Sequence, residues 1–529
     1  MADINPREAY DGSSLTDIEK GDALREKDDI PSNSPTPAGS IADPTSKEIG
    51  LNDKNQETES QPQVNISDWN GPNDPDNPQN WPTWIKVYHA TVPGLFGFAV
   101  TFGSSVYTPA TADIEHQFGV SRTAAIVGLT VYVMGLAAGP IFSAPLSEAY
   151  GRKVVYITSS PIFMLFTLGA GFSQSFASLM VCRFFAGLTG SPALAVGAGT
   201  SADLFVPRQR AVVTSMFLAA PFAGPSLGPV VGGFAAQYKG WRWTQWCMEF
   251  VTLAVFIMSL FTKETFKPVV LKQRAKKLGL KLPPGEAAVS AKAMKSSLVK
   301  NFFQPLHMLF IEPIVFLLSL YTAFAFAVLF VFFAAFPYVF QRPPYNFTIS
   351  QYGLTFLGIG FGVLLGALTG VLIDRVIYQK QHQKAVARGE QHAAPEHRLY
   401  NMMFGSIGIP VGLFWFAWAA QTGCHWIVLV IAAVPFAWGN ICLFTSAALY
   451  MVDVYGPRNA GSAIAANGIL RYTLGATFPL FTVQMYQRLD TGWATSLLGF
   501  LALLMLPIPY VFFKWGPAIR KRSRYPVVM

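Results

Sequence analysis

The stretch Ala144-Pro145-Leu146-Ser147-Glu148-Ala149-Tyr150-Gly151-Arg152-Lys153 reads as the end of one apolar helix, a turn at Gly151 and the start of the next. A second stretch, Gly370-Val371-Leu372-Ile373-Asp374-Arg375, repeats its pattern. Each places a small residue (Ala144, Gly370) four positions before an acid (Glu148, Asp374) at the end of an apolar run. Reading outward from both gives twelve such runs: 87–108, 122–143, 153–173, 178–200, 211–234, 244–262, 311–335, 352–374, 400–420, 426–450, 461–485 and 494–514. Each is close to the roughly 20 residues a helix needs to cross a bilayer. Lipid cannot satisfy backbone polar groups, so runs of this length predict helices. Their Gly, Ala and Ser content lets neighbouring backbones approach closely.

Composition agrees. Only 13% of the 529 residues are charged and 51% are hydrophobic, against roughly 25% charged in soluble domains. This excludes an ordinary soluble enzyme. The net charge is uneven: residues 1–85 hold 17 acids and 6 Lys/Arg, and the remainder 33 Lys/Arg and 13 acids. A basic body with an acidic tail argues against nucleic acid as a partner. The connection 263–304 carries ten Lys/Arg, the 375–399 loop five, and the end of the chain reads Arg520-Lys521-Arg522-Ser523-Arg524. The positive-inside rule places these segments, and with them both termini, in the cytoplasm.

The expected organisation is a disordered acidic tail at 1–85, a six-helix bundle at 86–262 and a basic cytoplasmic connection at 263–304. A second six-helix bundle at 305–515 and a basic tail at 516–529 complete it. Cys182, Cys247, Cys424 and Cys442 show no metal-ligand spacing, and no metal site is expected. Asn346-Phe347-Thr348 is a glycosylation sequon in a predicted external loop.

Charges inside a membrane are costly and mark functional candidates. Glu249, Arg183 and Arg471 are the clearest cases, and Arg183 and Glu249 lie at similar depth in the first half, where they can pair. Glu249 is a candidate proton carrier. Asn467 and Arg471 stand four apart on one helix face. Tyr107, Tyr132, Tyr321, Phe324, Trp438, Phe444 and Tyr472 can form an aromatic cavity wall for apolar or cationic compounds. Glu148 can interact with a helix N-terminus, and Arg152 can pair with Asp203. Gly224, Gly228 and Gly232 lie on one face, able to pack against a helix of the other half, with Pro225 and Pro229 bending the helix there.

Several stretches together resemble the major facilitator superfamily, and more closely the fungal twelve-span drug:proton antiporters that include multidrug and polyamine exporters. Pro145–Lys153 is similar to its loop 2–3 signature, with Ala144 and Ala149 departing from it. Arg183-Phe184-Phe185-Ala186-Gly187 is similar to its fourth-helix signature. The run Gly224-Pro225-Ser226-Leu227-Gly228-Pro229-Val230-Val231-Gly232-Gly233 is similar to its fifth-helix antiporter signature at full length. Glu264–Leu271, Pro395–Leu399, Ser462–Asn467, Arg471 and Phe478–Phe481 also read like that group.

The resemblance implies an all-α membrane fold of twelve transmembrane helices in two six-helix bundles. It implies proton-coupled export of small lipophilic or cationic organic compounds by a monomer in the plasma or vacuolar membrane, with no cofactor beyond a proton gradient. Glu148, Gly151, Arg152, Lys153 and Asp203, with Asp374 and Arg375 as a second latch, would form the cytoplasmic gate. The Gly/Pro run would be a hinge that favours export. Proton-linked uptake of a small solute and a non-transporting membrane sensor remain open alternatives.

Overall fold

The computed structural model describes residues 68–205, 207–279, 291–390 and 393–527. The acidic tail up to residue 67 and residues 280–290 of the basic connection lie outside the described residues. Nine helical stretches among the described residues are long and apolar enough to cross a membrane. The last of them, Asn459–Arg520, is interrupted at Asp490 (φ 58°) and therefore crosses twice. Thr83–Ser105 and Pro207–Lys239 complete the twelve crossings.

In chain order, span one is Thr83–Ser105, span two Arg122–Tyr150, span three Arg152–Gly171 and span six Arg242–Leu260. Span four runs Phe176–Gly190 and continues as Pro192–Leu204, its break set by Ser191 ahead of a proline at the new first turn. Span five is Pro207–Lys239, with Pro221, Pro225 and Pro229 inside it. Span seven is Pro313–Phe340 and span nine Tyr400–Gln421. Span eight enters through Ile349–Thr355 and continues as Leu357–Ile373. Span ten, Trp426–Gly456, ends where Gly456 takes φ 60°. Span eleven is 457–489, and span twelve is 491–505 continued by Pro507–Arg520.

Turn chemistry punctuates the runs. Ser121 and Ser175 cap spans two and four by accepting from Ala124 and Ser178. Thr348 and Gln351 form a capping box at the start of span eight. Gly151, at φ 99°, ends span two in a conformation that a side chain rarely adopts.

Burial separates the centre of the fold from its rim. In span seven 83% of the apolar window is buried inside the protein, against 33% in span eight. Leu364 of span eight and Leu504 of span twelve are 65% and 76% exposed, as lipid-facing side chains should be. The basic connection is partly helical, with helices at Lys267–Lys277 and Ala291–Ile311.

Candidate functional site

A cavity of about 1720 Å³ lies between the two bundles. Its mouth is at the end of the molecule that carries the basic loops. Glu148, Arg152 and Asp203 of the first half and Arg398, Asp453 and Arg520 of the second line that mouth. Its inner end is a dome that includes Thr101, Phe222, Phe326, Phe444, Arg471 and Tyr472. Beyond the dome the halves meet. The Thr130 hydroxyl of span two donates to Ala476 O of span eleven at 2.8 Å. Ser350 N–H of span eight donates to Gln237 Oε1 of span five at 2.8 Å. Spans five and eight touch through glycine: a Cβ on Gly233 would meet Ile349 O at 2.9 Å, and one on Gly353 would meet Pro229 O at 2.5 Å. The cavity is thus open at the basic end and closed at the other.

The Gly/Pro run corrects one expectation. Gly224, Gly228 and Gly232 face span one of their own half, not the other half. A Cβ on any of them would collide with Thr101, Ser105 or Val106, and Ser105 Oγ donates to Gly224 O at 3.0 Å. The glycines let spans one and five lie backbone to backbone. Gly233, with Pro229, is what reaches the other half.

At the mouth, the expected Arg152–Asp203 pair is present at 3.3 Å. Arg152 also donates to Ser147 Oγ at 2.7 Å and stacks over Phe266 at 4.6 Å. The acid at a helix N-terminus is Glu264, however, and not Glu148. Glu264 accepts from the backbone N–H groups of Arg152 and Lys153 at the start of span three, and from those of Thr265 and Phe266. A Cβ on Gly151 would collide with that carboxylate, so the glycine makes room for the cap. Glu148 is exposed on the cavity wall with no ion pair among the described residues. In the second half Asp374 pairs with Arg398 (3.2 Å), which also binds Asp453 (2.7 Å) and stacks over Tyr378 at 3.6 Å. Arg375 is exposed and takes no part. Arg398 sits between two acids as Arg152 sits beside one, so each half carries its own paired charges at the mouth.

Arg183 is 1% exposed and lies outside the cavity lining. Its Nε and Nη1 donate to Gly128 O and Gly103 O at 3.2 and 2.9 Å. The guanidinium is sandwiched between the rings of Tyr107 and Tyr132, each 4.4 Å away. Those hydroxyls donate to Ala125 O and Val100 O, both at 2.7 Å. Arg183 therefore ties spans one, two and four together, and the expected pair with Glu249 is not formed among the described residues. Glu249 is buried, and its Oε2 has no hydrogen-bond partner.

Of the seven aromatic residues expected to line the cavity, Phe444 and Tyr472 do so. Tyr107 and Tyr132 serve Arg183 instead. Tyr321 (donating to Ser406 O at 3.4 Å) and Phe324 are buried in the second bundle, and Trp438 donates to Thr369 Oγ1 at 3.0 Å. Aromatic content along a helix does not say which face looks inward. Asn467 likewise turns into the bundle and donates to Thr322 Oγ1 at 2.6 Å, whereas Arg471, one turn on, lines the cavity. Phe222 and Phe326, which the sequence reading passed over, complete the dome wall; the ring of Phe222 lies 5.1 Å from that of Phe444. Asn346 is exposed in the turn before span eight, at φ 49°.

Outside the membrane, the lead-in to span one is clamped to the helix Lys267–Lys277. Arg274 binds Asp74 (2.6 Å) and Asp76 (2.7 Å). The hydrogen bond from Arg274 holds the Asp74 carboxyl well below the usual aspartate range, at about 2.

A helical membrane protein with two bundles about one deep cavity open at a single end has the architecture of a membrane transporter. Residues 94–479 match the family model of the Major Facilitator Superfamily, and the chain belongs to that family. It is 38% identical over 482 residues to Polyamine transporter 4 of Saccharomyces cerevisiae, a match covering 87% of this chain and 73% of the other. It is 35% identical over 473 residues to the multidrug transporter FLU1 of Candida albicans, covering 87% and 76%. Both relatives are fungal transporters, one named for polyamines and one for multiple drugs. Among solved structures, the xylose transporter XylE from E. coli in a partially occluded inward-open conformation shares the fold. That match has a TM-score of 0.57 and 15% identity, over 82% of this chain and 98% of the other.

Proposed function

We propose that this transporter is a proton-driven exporter of small lipophilic organic compounds, working by alternating access, with the mouth of its cavity facing the cytoplasm. The observation that carries this reading is the cavity itself. It is open at the basic end, where the positive-inside rule places the cytoplasm, and sealed at the other by spans five and eight. A compound entering from the cytoplasm or inner leaflet would reach the aromatic dome, and rocking of the bundles would expose it to the opposite side.

Between the lipophilic and cationic substrates expected from the sequence, the cavity favours the lipophilic. The acids lining it stand at the mouth, where Asp203 and Asp453 already face arginines. The relative named as a multidrug transporter favours export over uptake. Glu249 is the proposed proton carrier, because it is a buried acid with a free oxygen and no cation beside it among the described residues. Arg183 would sense the conformation of spans one, two and four. In this reading the protein is monomeric, resides in the plasma or vacuolar membrane with both termini cytoplasmic, and exposes Asn346 to glycosylation outside.

The test is flux into proteoliposomes under an imposed pH gradient, with a panel of drugs, fungal metabolites, organic acids and polyamines. Gradient-driven accumulation that collapses with a protonophore is expected; flux indifferent to the gradient refutes proton antiport. A Glu249→Gln protein that keeps full gradient-driven flux removes Glu249 as the carrier.

A further inference from the structure

Among the described residues, Arg183 and Arg471 both lie deep in the bundles and each leaves one buried nitrogen without a partner; they differ in what they face. Arg183 gives two of its nitrogens to carbonyls and is walled off from the cavity. Arg471 lines the dome. It stands fourteen residues into span eleven, about 20 Å from that helix's basic end at 1.5 Å per residue. Its Nη2 donates to the Tyr472 hydroxyl at 3.0 Å, but its buried Nε has no partner. No acid pairs with it among the described residues. The rings of Phe444, Tyr472 and Phe326 surround the guanidinium at 4.3, 4.7 and 5.0 Å. Stacking on ring faces holds a guanidinium without consuming its N–H groups, which lie in its plane. The guanidinium is half-buried and lines the cavity, so the dome presents a positive charge that no acid among the described residues offsets.

We propose that Arg471 is the anchor of a substrate subsite that selects organic anions: compounds with a flat aromatic body and one carboxylate or phenolate. The acidic oxygen accepts from the Arg471 N–H edge. The aromatic body lies against Phe222, Phe326, Phe444 and Tyr472. A cationic compound meets the opposite: a positive charge at the deepest point of the cavity and no acid there to offset it. This deepens the export reading and rests on it for direction, though the selectivity is testable without transport.

Equilibrium binding of 1-naphthoate and of 1-naphthylmethylammonium, matched in ring and opposite in charge, to the full-length protein in nanodiscs separates the possibilities. One charge-assisted hydrogen bond in a shielded site predicts that naphthoate binds about 10-fold tighter or more. Arg471→Gln should erase that preference while melting like the wild type, and Arg471→Lys, which restores the charge, should recover part of it. A wild type that binds both probes equally or prefers the ammonium overturns the proposal, as does an R471Q protein that keeps the preference. Preference intact without gradient-driven flux of any compound would count against export and leave the anion subsite standing.

Discussion

Removing the Glu264 carboxylate should destabilise the protein more than removing any other acid of the mouth. Glu264 lies in the turn after span six, yet two of the four N–H groups it accepts from belong to the first turn of span three. In Glu264→Ala those two donors lose an ionised acceptor. At about 1.5 to 3 kcal/mol for each charge-assisted bond, the loss is roughly 3 to 6 kcal/mol. The removed charge also complemented the positive end of the helix, worth about 1 kcal/mol at a partly shielded terminus. Water reaching the turn recovers part of this, leaving an expected loss of about 3 kcal/mol. Glu264→Gln retains Oε1, which serves Arg152, Thr265 and Phe266, but turns an amide NH₂ toward the Lys153 N–H that Oε2 had accepted. It should cost about half as much. Glu148→Ala is the control: exposed and without an ion pair among the described residues, it should change stability by no more than about 0.5 kcal/mol. Unfolding in mixed micelles followed by circular dichroism gives the three values. An E264A protein as stable as the wild type, or an E148A protein that loses as much, would refute the assignment of the cap.

Gly228→Ala should destabilise by about 1 to 3 kcal/mol, since its methyl group has to push Ser105 and Val106 of span one aside. Gly461→Ala, with nothing within 4 Å of its new Cβ, should melt at or above the wild-type temperature. The clamp between the lead-in and the helix Lys267–Lys277 should be acid-sensitive in one direction. Asp74 has a folded pKa of about 2, below its unfolded value of about 4. Its contribution is therefore complete above about pH 4 and fades as pH falls toward 2. Hydrogen exchange in that helix should follow this window, and Asp74→Asn should show the unprotected rate already at neutral pH. Protection that is flat from pH 4 to 2 would count against the clamp.

What the sequence made legible was whatever depends on local pattern. Apolar runs and Lys/Arg bias placed the twelve spans, and the positions of Arg152 and Asp203 at two helix ends were enough to pair them. What stayed hidden depends on facing and on distant partners. Tyr107 and Tyr132 have the composition of a cavity wall, but only three-dimensional packing shows that they enclose Arg183. Glu264 caps a helix that begins 112 residues earlier in the chain, and Arg398 reaches Asp374 across a loop whose path no periodicity describes. Spacing puts Gly224, Gly228 and Gly232 on one face of span five, but it does not say that span one covers that face.

The seam that closes the far end of the cavity has a consequence for how readily it opens. Gly233, Gly353 and Gly360 bring helix backbone against backbone or against short side chains such as Ser226. These helical peptide groups keep their own intrahelical bonds when the spans part, so separation strands few polar groups. Glycine and serine also have little rotamer freedom to gain or lose. Parting spans five and eight therefore requires little re-sorting of side chains and sacrifices directly the Ser350–Gln237 bond and close contact, while the Thr130–Ala476 bond between spans two and eleven is the further link that opening this end has to break. In the proposed cycle such a joint would reclose in the same register, because the glycine contact holds little that could come back together in the wrong arrangement.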